Sequence, residues 1–322
     1  MTRGQRRVRS VPRRRAGRLS AAVVVGAALA LVATTVPAAA AGGGGSVHAT
    51  ASTYPDSEGI VLDAWGGLHV FTYGSTPAKI TSFGGAPYWP GWDIARGVAL
   101  RNTNLTTCTA FGGYTLDAWG GLHPFGIDGA GAPAKPTDGP YWKGWDIARD
   151  VVLVPQFPAQ ADSAPAGGLV LDGFGGLHYF TIVPGVPAPV ITGGPYWNGW
   201  DIARGVMLVT DSTGWRGGYV VDAWGGLHPF GVNGTTPPAV DPSTVSYWPG
   251  WQIVRSGTVF RNAAGVTNNL PNGGFTLDAW GGLHGFAFTG QTPPVTSGLH
   301  NAPYWSGWNI ARGLVMRNIR TC

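Results

Sequence analysis

Five short apolar runs recur along the chain, and each is followed by the same polar turn. Every run is rich in β-branched and aromatic residues, which is typical of strands. Each ends at an aspartate, then a turn closes on two glycines and a Leu-His-x-Phe segment begins. The aspartate can accept backbone N–H groups and glycine permits positive φ, so the pattern predicts one β-hairpin per copy. The runs are residues 60–62, 114–116, 169–171, 219–221 and 275–277.

A second repeated block completes each copy: Tyr-Trp-x-Gly-Trp, then Ile-x-Arg, then a further apolar run. A stretch that differs in every copy and is rich in glycine and proline separates it from the hairpin. Such stretches resist long strands and belong at the surface. The apolar runs predict one more strand in each copy. They are residues 98–100, 151–154, 206–209, 258–260 and 314–316.

The turn aspartates recur at positions 63, 117, 172, 222 and 278, so the copies are of nearly equal length. A period of roughly 50 residues indicates one supersecondary unit copied around a ring or along a solenoid. Short antiparallel strands favour an all-β fold, a five-bladed β-propeller. A solenoid would need atypical end copies, and the terminal copies here are ordinary. The first hairpin lacks a preceding strand and the last apolar run lacks a following hairpin, so we expect these terminal strands to pair and close the ring.

The N-terminal region differs from the repeats. A basic run precedes an apolar stretch at residues 21–36 and small residues up to Ala41, the pattern of a secretory signal peptide. The alternative, a membrane anchor, would need about 20 apolar residues. We expect a signal peptide at residues 1–41, a flexible leader at 42–57 and the propeller at 58–322. Export through the Sec or the twin-arginine route would place the protein outside the cell or on its wall.

Removal of the signal peptide changes the charge of the protein. Eight of the 21 basic residues lie within it and all 16 acidic residues follow it, so the mature chain carries 13 − 16 = −3. This leaves no basic patch for nucleic acid. We expect a monomer with no nucleic-acid partner and no membrane contact after cleavage.

Each copy carries an aspartate, a histidine and an arginine at fixed positions. Five-fold placement spreads equivalent residues apart, whereas a transition metal needs about four close ligands. We therefore expect a structural hydrogen-bond network, with the arginine paired to the turn aspartate, rather than a metal, a cofactor or catalysis. The predicted structural residues are Asp63, Asp117, Asp172, Asp222, Asp278, His69, His123, His178, His228, His284, Arg96, Arg149, Arg204, Arg255 and Arg312.

The residue three positions before each arginine is always polar but not always charged, which predicts a local cap of the backbone. These residues are Asp93, Asp146, Asp201, Gln252 and Asn309.

Tryptophan is abundant, with 15 in the chain, and 14 of them lie in the repeats while Trp215 falls in a predicted loop. A tryptophan in a repeat packs in the core by default. The hairpin tips are the exception, because tips are often exposed and aromatic faces stack well on sugars. Two interpretations stay open for the tips, ligand contact and packing onto a neighbour. The candidate ligand-binding residues are Trp65, Trp119, Phe174, Trp224 and Trp280.

The chain has two cysteines, which in an exported protein suggest one disulfide. Cys108 and Cys322 lie beyond equivalent apolar strands, one blade apart if the ring closes. We predict that they form a bridge that ties the C-terminus to the ring. The alternative is two unpaired thiols.

The strings LDAWGGLHPFG and PYWxGWDIARG resemble a repeat of secreted actinobacterial proteins, which occurs alone or appended to extracellular enzymes. The resemblance covers residues 59–318. At the level of the fold alone, five near-identical blades with a Gly-Trp motif are similar to tachylectin-type five-bladed lectins. This resemblance implies sugar binding by equivalent sites.

Three classes of function follow from these observations. Equivalent sites, abundant aromatic residues and little charge favour a secreted, non-enzymatic, multivalent module that binds glycans or another cell-surface ligand. A protein-interaction or surface scaffold is the alternative. A glycosidase is the lesser alternative, because such enzymes place different carboxylates in one central site and the only glutamate, Glu58, lies at the edge of the ring.

Overall fold

The computed structural model describes residues 54–101, 112–154, 165–211, 214–260 and 270–319. They form 18 strands and two short 3-10 turns, Pro242–Thr244 and Thr296–Gly298. The strands are β1 (Ser57–Asp63), β2 (Leu68–Tyr73), β3 (Phe83–Gly84), β4 (Ala95–Leu100), β5 (Gly113–Asp117), β6 (Leu122–Ile127), β7 (Ala148–Val154), β8 (Gly167–Asp172), β9 (Leu177–Thr181), β10 (Ile191–Thr192), β11 (Ala203–Asp211), β12 (Gly214–Asp222), β13 (Leu227–Val232), β14 (Val254–Val259), β15 (Gly273–Asp278), β16 (Leu283–Ala287), β17 (Leu299–His300) and β18 (Ala311–Asn318).

These strands form five small antiparallel sheets arranged in a ring, a five-bladed β-propeller, as the repeats predict. Three sheets have four strands and two have three. The sheets are β17-β2-β1-β18, β3-β6-β5-β4, β9-β8-β7, β10-β13-β12-β11 and β16-β15-β14.

The apolar strand that follows each repeated arginine lies innermost. Strands β4, β7, β11, β14 and β18 contact one another in this cyclic order. They enclose an axial cavity of about 50 Å³, lined by side chains such as Val98, Val151, Val206 and Leu314. The hairpin lies outside the inner strand, with its first strand next to the inner strand and its return strand farther from the axis.

Each blade combines two successive copies of the repeat. Strand β4 from the first copy pairs with β5 of the second, with Ala95 opposite Asp117. The same arrangement closes the ring, because β18 from the last copy pairs with β1 along its whole length, from Ser57 opposite Asn318 to Asp63 opposite Ala311. The predicted pairing of the terminal strands is therefore confirmed.

Five hydrophobic clusters fill the five interfaces between neighbouring blades. The phenylalanine of every Leu-His-x-Phe segment is buried there, which explains its recurrence as a core residue. The prediction that Trp215 lies in a loop is wrong: β11 and β12 are longer than their counterparts, and Trp215 is buried on β12. The buried phenylalanines are Phe71, Phe125, Phe180, Phe230 and Phe286.

An ion pair reinforces the closing blade. Glu58 is fully buried, pairs with Arg317 on β18, and accepts hydrogen bonds from the backbone N–H groups of Lys79 and Ile80 at 2.7 and 3.1 Å. Both of its carboxylate oxygens thus accept hydrogen bonds.

Several predictions fall outside the described residues, namely the signal peptide, most of the leader, and the bridge between Cys108 and Cys322. They stay predictions. Within the ranges that are described, no helix is long and apolar enough to cross a membrane.

Candidate functional site

Each hairpin turn is organised by its aspartate. In the first copy, Asp63 Oδ1 accepts hydrogen bonds from the backbone N–H groups of Trp65 and Gly67, both at 2.8 Å. Its Oδ2 lies 2.9 Å from Nε2 of His69. The other four copies repeat these three bonds at 2.8 to 2.9 Å. The part of the predicted network that joins aspartate, turn and histidine is therefore present in every blade.

The two glycines of the turn are required for different reasons. Gly66 has φ +94°, and a Cβ there would lie 2.4 Å from the carbonyl oxygen of Pro87. Gly67 lies so close to Asp63 that a Cβ would come within 2.3 Å of its Oδ2. Any side chain at either position would displace the backbone or the carboxylate.

The environment of three turn carboxylates, those of Asp63, Asp172 and Asp278, favours their charged form. Burial opposes ionisation, but the hydrogen bonds from histidine and from two backbone N–H groups outweigh it and hold the pKa of Asp63 below its ordinary value. The same causes lower the pKa of Asp172 and Asp278. These carboxylates act as fixed hydrogen-bond acceptors.

The first tryptophan of each Tyr-Trp-x-Gly-Trp block is a packing residue. Trp89 donates its backbone N–H to the carbonyl of Trp65 at the tip of its own copy. Its ring meets His123 of the next copy edge-to-face, with 5.1 Å between the ring centroids. It therefore wedges between successive hairpins. The equivalent residues Trp142, Trp197, Trp248 and Trp305 make the same contact with the next histidine.

The predicted tip aromatics are partly buried against the second tryptophan of the block. Trp119 meets Trp92 edge-to-face at 5.9 Å, and Phe174 meets Trp145 at 6.1 Å. Each tip ring thus packs against a second tryptophan, and the second tryptophan is the more exposed of the two. The other tip pairs are Trp65 with Trp308, Trp224 with Trp200 and Trp280 with Trp251.

Sequence reasoning missed the most exposed aromatic residues. The second tryptophans are 44–52% exposed and the tyrosines of the same blocks 51–63%. We call these ten residues the aromatic face. The repeated block could have indicated these exposed residues, because it carries three aromatic residues and only the first tryptophan packs between blades. The aromatic face consists of Tyr88, Trp92, Tyr141, Trp145, Tyr196, Trp200, Tyr247, Trp251, Tyr304 and Trp308.

All these residues lie at one end of the propeller. Each turn aspartate pairs across the sheet with the residue before the repeated arginine, so the hairpin tips and the arginines share that end. The block then crosses the tip, where Ile94 donates its N–H to the carbonyl of Ala64. The aromatic face therefore surrounds the arginines.

The five arginines form a closed ring of polar contacts around the axis. Arg96 donates through Nη1 to Asp93 of its own block at 2.8 Å, and through Nε and Nη2 to Asp146 of the next block. Arg312 closes the circle by donating through Nε to Asp93 at 3.0 Å. We call this the arginine ring. Its acceptors are Asp93, Asp146, Asp201, Gln252 and Asn309.

This ring corrects two predictions. The arginines do not pair with the turn aspartates, whose oxygens are occupied by the turn N–H groups and by histidine. The polar residue three positions before each arginine is likewise more than a local backbone cap, because Asp93, for example, accepts from Arg96 and Arg312. Both errors arise because each arginine also bonds to the polar residue of the next copy of the repeat.

Below the ring, the axis is asymmetric. The residue after the arginine is glycine in three copies, Asp150 in one and Ser256 in another. Asp150 is completely buried, accepts from Ser256 Oγ at 2.8 Å and from the backbone N–H of Val206 at 3.1 Å, and thus bonds across the axis. Burial raises the pKa of Asp150 to about 8. The sequences of the five copies show that Asp150 is an exception, but they do not show that its side chain is buried.

A groove of about 290 Å³ flanks the second hairpin on its outer side. His123, Lys135, Thr137 and Tyr141 are among the residues that line it. Its volume lies just below the range for small-ligand sites, which begins at about 300 Å³. The groove thus offers donors and one aromatic ring next to the turn.

Metal binding finds no support in the described ranges, where no group of three or more histidine, cysteine, aspartate or glutamate residues is placed to hold an ion. Comparison with known proteins gives no assignment either: no protein-family model matches the chain, and no curated protein or solved structure is significantly similar to it.

Proposed function

We propose that this protein is a secreted, non-enzymatic module that binds carbohydrate through several equivalent sites on its aromatic face. The observation that carries the proposal is the repetition of one exposed unit five times. In each unit a half-exposed tryptophan and an exposed tyrosine stand beside a tip aromatic that braces the tryptophan.

This unit suits sugar recognition. The tip ring fixes the orientation of the tryptophan at little entropic cost, so that its free face can stack on the apolar face of a pyranose. Under this proposal the predicted tip residues contribute as supports. The groove beside the second hairpin would supply polar contacts from Lys135 and Thr137 at one unit.

The axial region supports a binding role over a glycosidase. The cavity of about 50 Å³ is lined mainly by apolar side chains and is too small for a sugar ring. The only glutamate, Glu58, is bonded within the closing seam. Asp150 is bonded across the axis beneath the arginines, away from the exposed aromatic residues.

The test is a glycan-array screen of the mature protein and of a variant in which all five exposed tryptophans are replaced by alanine. With several weak sites acting together, we expect avidity to fall by far more than five-fold. Val190→Ala is the matched control, because Val190 is at least as exposed but directly precedes the outer strand β10. Single replacements, such as Trp92→Ala, should give intermediate losses.

Two results would contradict the proposal. Unchanged binding by a folded five-fold variant would show that glycans bind elsewhere. If the wild type bound no glycan on the array, a protein-interaction scaffold would be favoured, because an exposed aromatic surface also suits contact with a protein.

A further inference from the structure

The arginine ring is not electrically balanced. It contains five arginines but only three aspartates, because two of the five acceptor positions carry carboxamides, so its net charge is 5 − 3 = +2. The two carboxamides, Gln252 and Asn309, are neighbours in the ring and flank Arg255. The excess charge is therefore concentrated on one side of the axis.

We call the contact between the arginine of one block and the acceptor residue of the next block a step. The three steps that end on an aspartate have a complete set of hydrogen bonds. The arginine of one block directs Nε and Nη2 at the two oxygens of the next carboxylate. That carboxylate also accepts from Nη1 of its own arginine. Asp146 illustrates this, with Nε of Arg96 at 3.0 Å and Nη1 of Arg149 at 2.9 Å.

The step at Gln252 is incomplete. Arg204 reaches Gln252 Oε1 only through Nη2, at 3.0 Å, and its Nε has no acceptor among the described residues. Nη1 of Arg255 bonds to the backbone carbonyl of Gln252 at 3.1 Å, not to its side chain. The position that a carboxylate occupies elsewhere thus holds a neutral carboxamide between two arginines.

Arg255 is the least compensated cation of the ring. Its Nε and Nη2 share one neutral acceptor, Asn309 Oδ1, at 3.3 and 3.2 Å, and no carboxylate in the described ranges forms an ion pair with it. Burial, followed by the charges of Arg312 and Arg204, lowers the pKa of Arg255. A partly buried guanidinium without a counter-ion is costly, so an incoming anion gains from neutralising it.

We propose that Arg204 and Arg255, which lie on either side of Gln252, bind the carboxylate of an acidic sugar such as a uronic acid. The exposed Trp200 and Trp251 directly precede Asp201 and Gln252 in the chain, so the sugar ring can stack on the aromatic face while its carboxylate reaches the guanidinium groups. The inference rests on the proposed glycan binding and adds a class of ligand to it.

The experiment compares an oligomer of glucuronic acid with its carboxyl-reduced glucose counterpart by titration calorimetry. A charge-assisted hydrogen bond contributes about 1.5–3 kcal/mol, so we expect the acidic oligomer to bind at least about ten-fold more tightly. Gln252→Asp supplies the missing carboxylate and should abolish this preference while leaving binding of the neutral oligomer unchanged. Gln252→Asn, the matched neutral control, should keep the preference.

Equal affinities of the wild type for both oligomers would overturn the acidic-sugar inference and leave glycan binding intact. If Gln252→Asp kept the same preference for the acidic oligomer as the wild type, the acidic-sugar inference would also be overturned. A sulfated glucan that binds as tightly as the glucuronate oligomer would overturn selectivity for carboxylate.

Failure of both oligomers to bind would instead contradict the proposed function. Titration with acetate, followed through the arginine Nε–Hε signals in NMR spectra, then tests the anion site by itself. Movement of the Arg204 and Arg255 signals alone supports a carboxylate site at Gln252. Unmoved signals overturn it.

Discussion

The aspartates at the hairpin tips and the aspartate at the axis behave in opposite ways. Asp63, Asp172 and Asp278 have a lowered pKa because histidine and two backbone N–H groups donate to each carboxylate. Asp150 also accepts backbone and hydroxyl hydrogen bonds, but it is completely buried and its pKa is raised to about 8.

The difference shows how donors and desolvation compete. At a tip, a histidine and nearby solvent help to stabilise the charge, so the donors prevail. At the axis, no cation among the described residues is hydrogen-bonded to the carboxyl of Asp150, so burial prevails. The five tips share the same hydrogen bonds, whereas the axis, where the five copies meet, carries features that occur once.

The largest expected effect concerns Asp150→Asn. Between the unfolded pKa near 3.9 and the folded value of about 8, the native state keeps a proton that the unfolded state loses. The stability of the wild type should therefore fall as pH rises, by up to about 1.4 kcal/mol per pH unit. Urea unfolding at pH 5 and pH 8 should show a shallower pH slope for Asp150→Asn.

Asp241→Asn serves as the control for that experiment, because Asp241 is only partly buried and its carboxylate bonds only within its own turn. The free energy of unfolding of Asp241→Asn should change with pH as steeply as that of the wild type. Equal slopes for all three proteins would mean that Asp150 is ionised in the folded state at neutral pH.

A pair of glycine substitutions tests the tip. Gly120 and Gly144 both have positive φ, but a Cβ would lie 2.5 Å from the Pro140 carbonyl oxygen only at Gly120, with nothing within 4 Å at Gly144. Gly144→Ala should cost about 1 kcal/mol from backbone strain and Gly120→Ala about 3 kcal/mol, because it adds a steric clash. Equal losses in chemical unfolding would show that the contact with Pro140 is relaxed easily.

Removing one turn carboxylate should have a smaller effect. Asp278→Ala leaves the N–H groups of Trp280 and Gly282 without their acceptor and should lower the free energy of unfolding by about 2 kcal/mol. Because the folded pKa is lowered, this contribution is present above about pH 4 and is lost as pH falls through the folded pKa. The difference from wild type should therefore shrink in acid, and a constant difference would contradict the lowered pKa.

The smallest expected effect is in the arginine ring. The Asp146 side chain is 52% exposed although it bonds to Arg96 and Arg149, so solvent weakens these ion pairs. Asp146→Asn should lower the free energy of unfolding by less than about 1 kcal/mol in thermal or urea unfolding. A loss of about 3 kcal/mol, which is typical of breaking a buried ion pair, would make the ring a structural element rather than a charged surface.

Much of the architecture could be predicted from the sequence. The alternation around each aspartate and the Gly-Gly pair specify a hairpin locally, and the unmatched strands at the two ends imply closure between β1 and β18. The fixed spacing also indicated the network that joins Asp63 and His69, which are only six residues apart. Such features were accessible because their physical causes lie within one copy.

Tertiary structure alone decided the features that join different copies. Arg96 meets Asp146 across 50 residues and Arg312 meets Asp93 across 219, so no local pattern indicates either pair. The exposure of Trp92 and the burial of Asp150 likewise depend on the neighbouring blades. A repeated sequence determines the blade, but the protonation of Asp150 and the solvent exposure of residues such as Trp92 depend on how neighbouring blades pack around them.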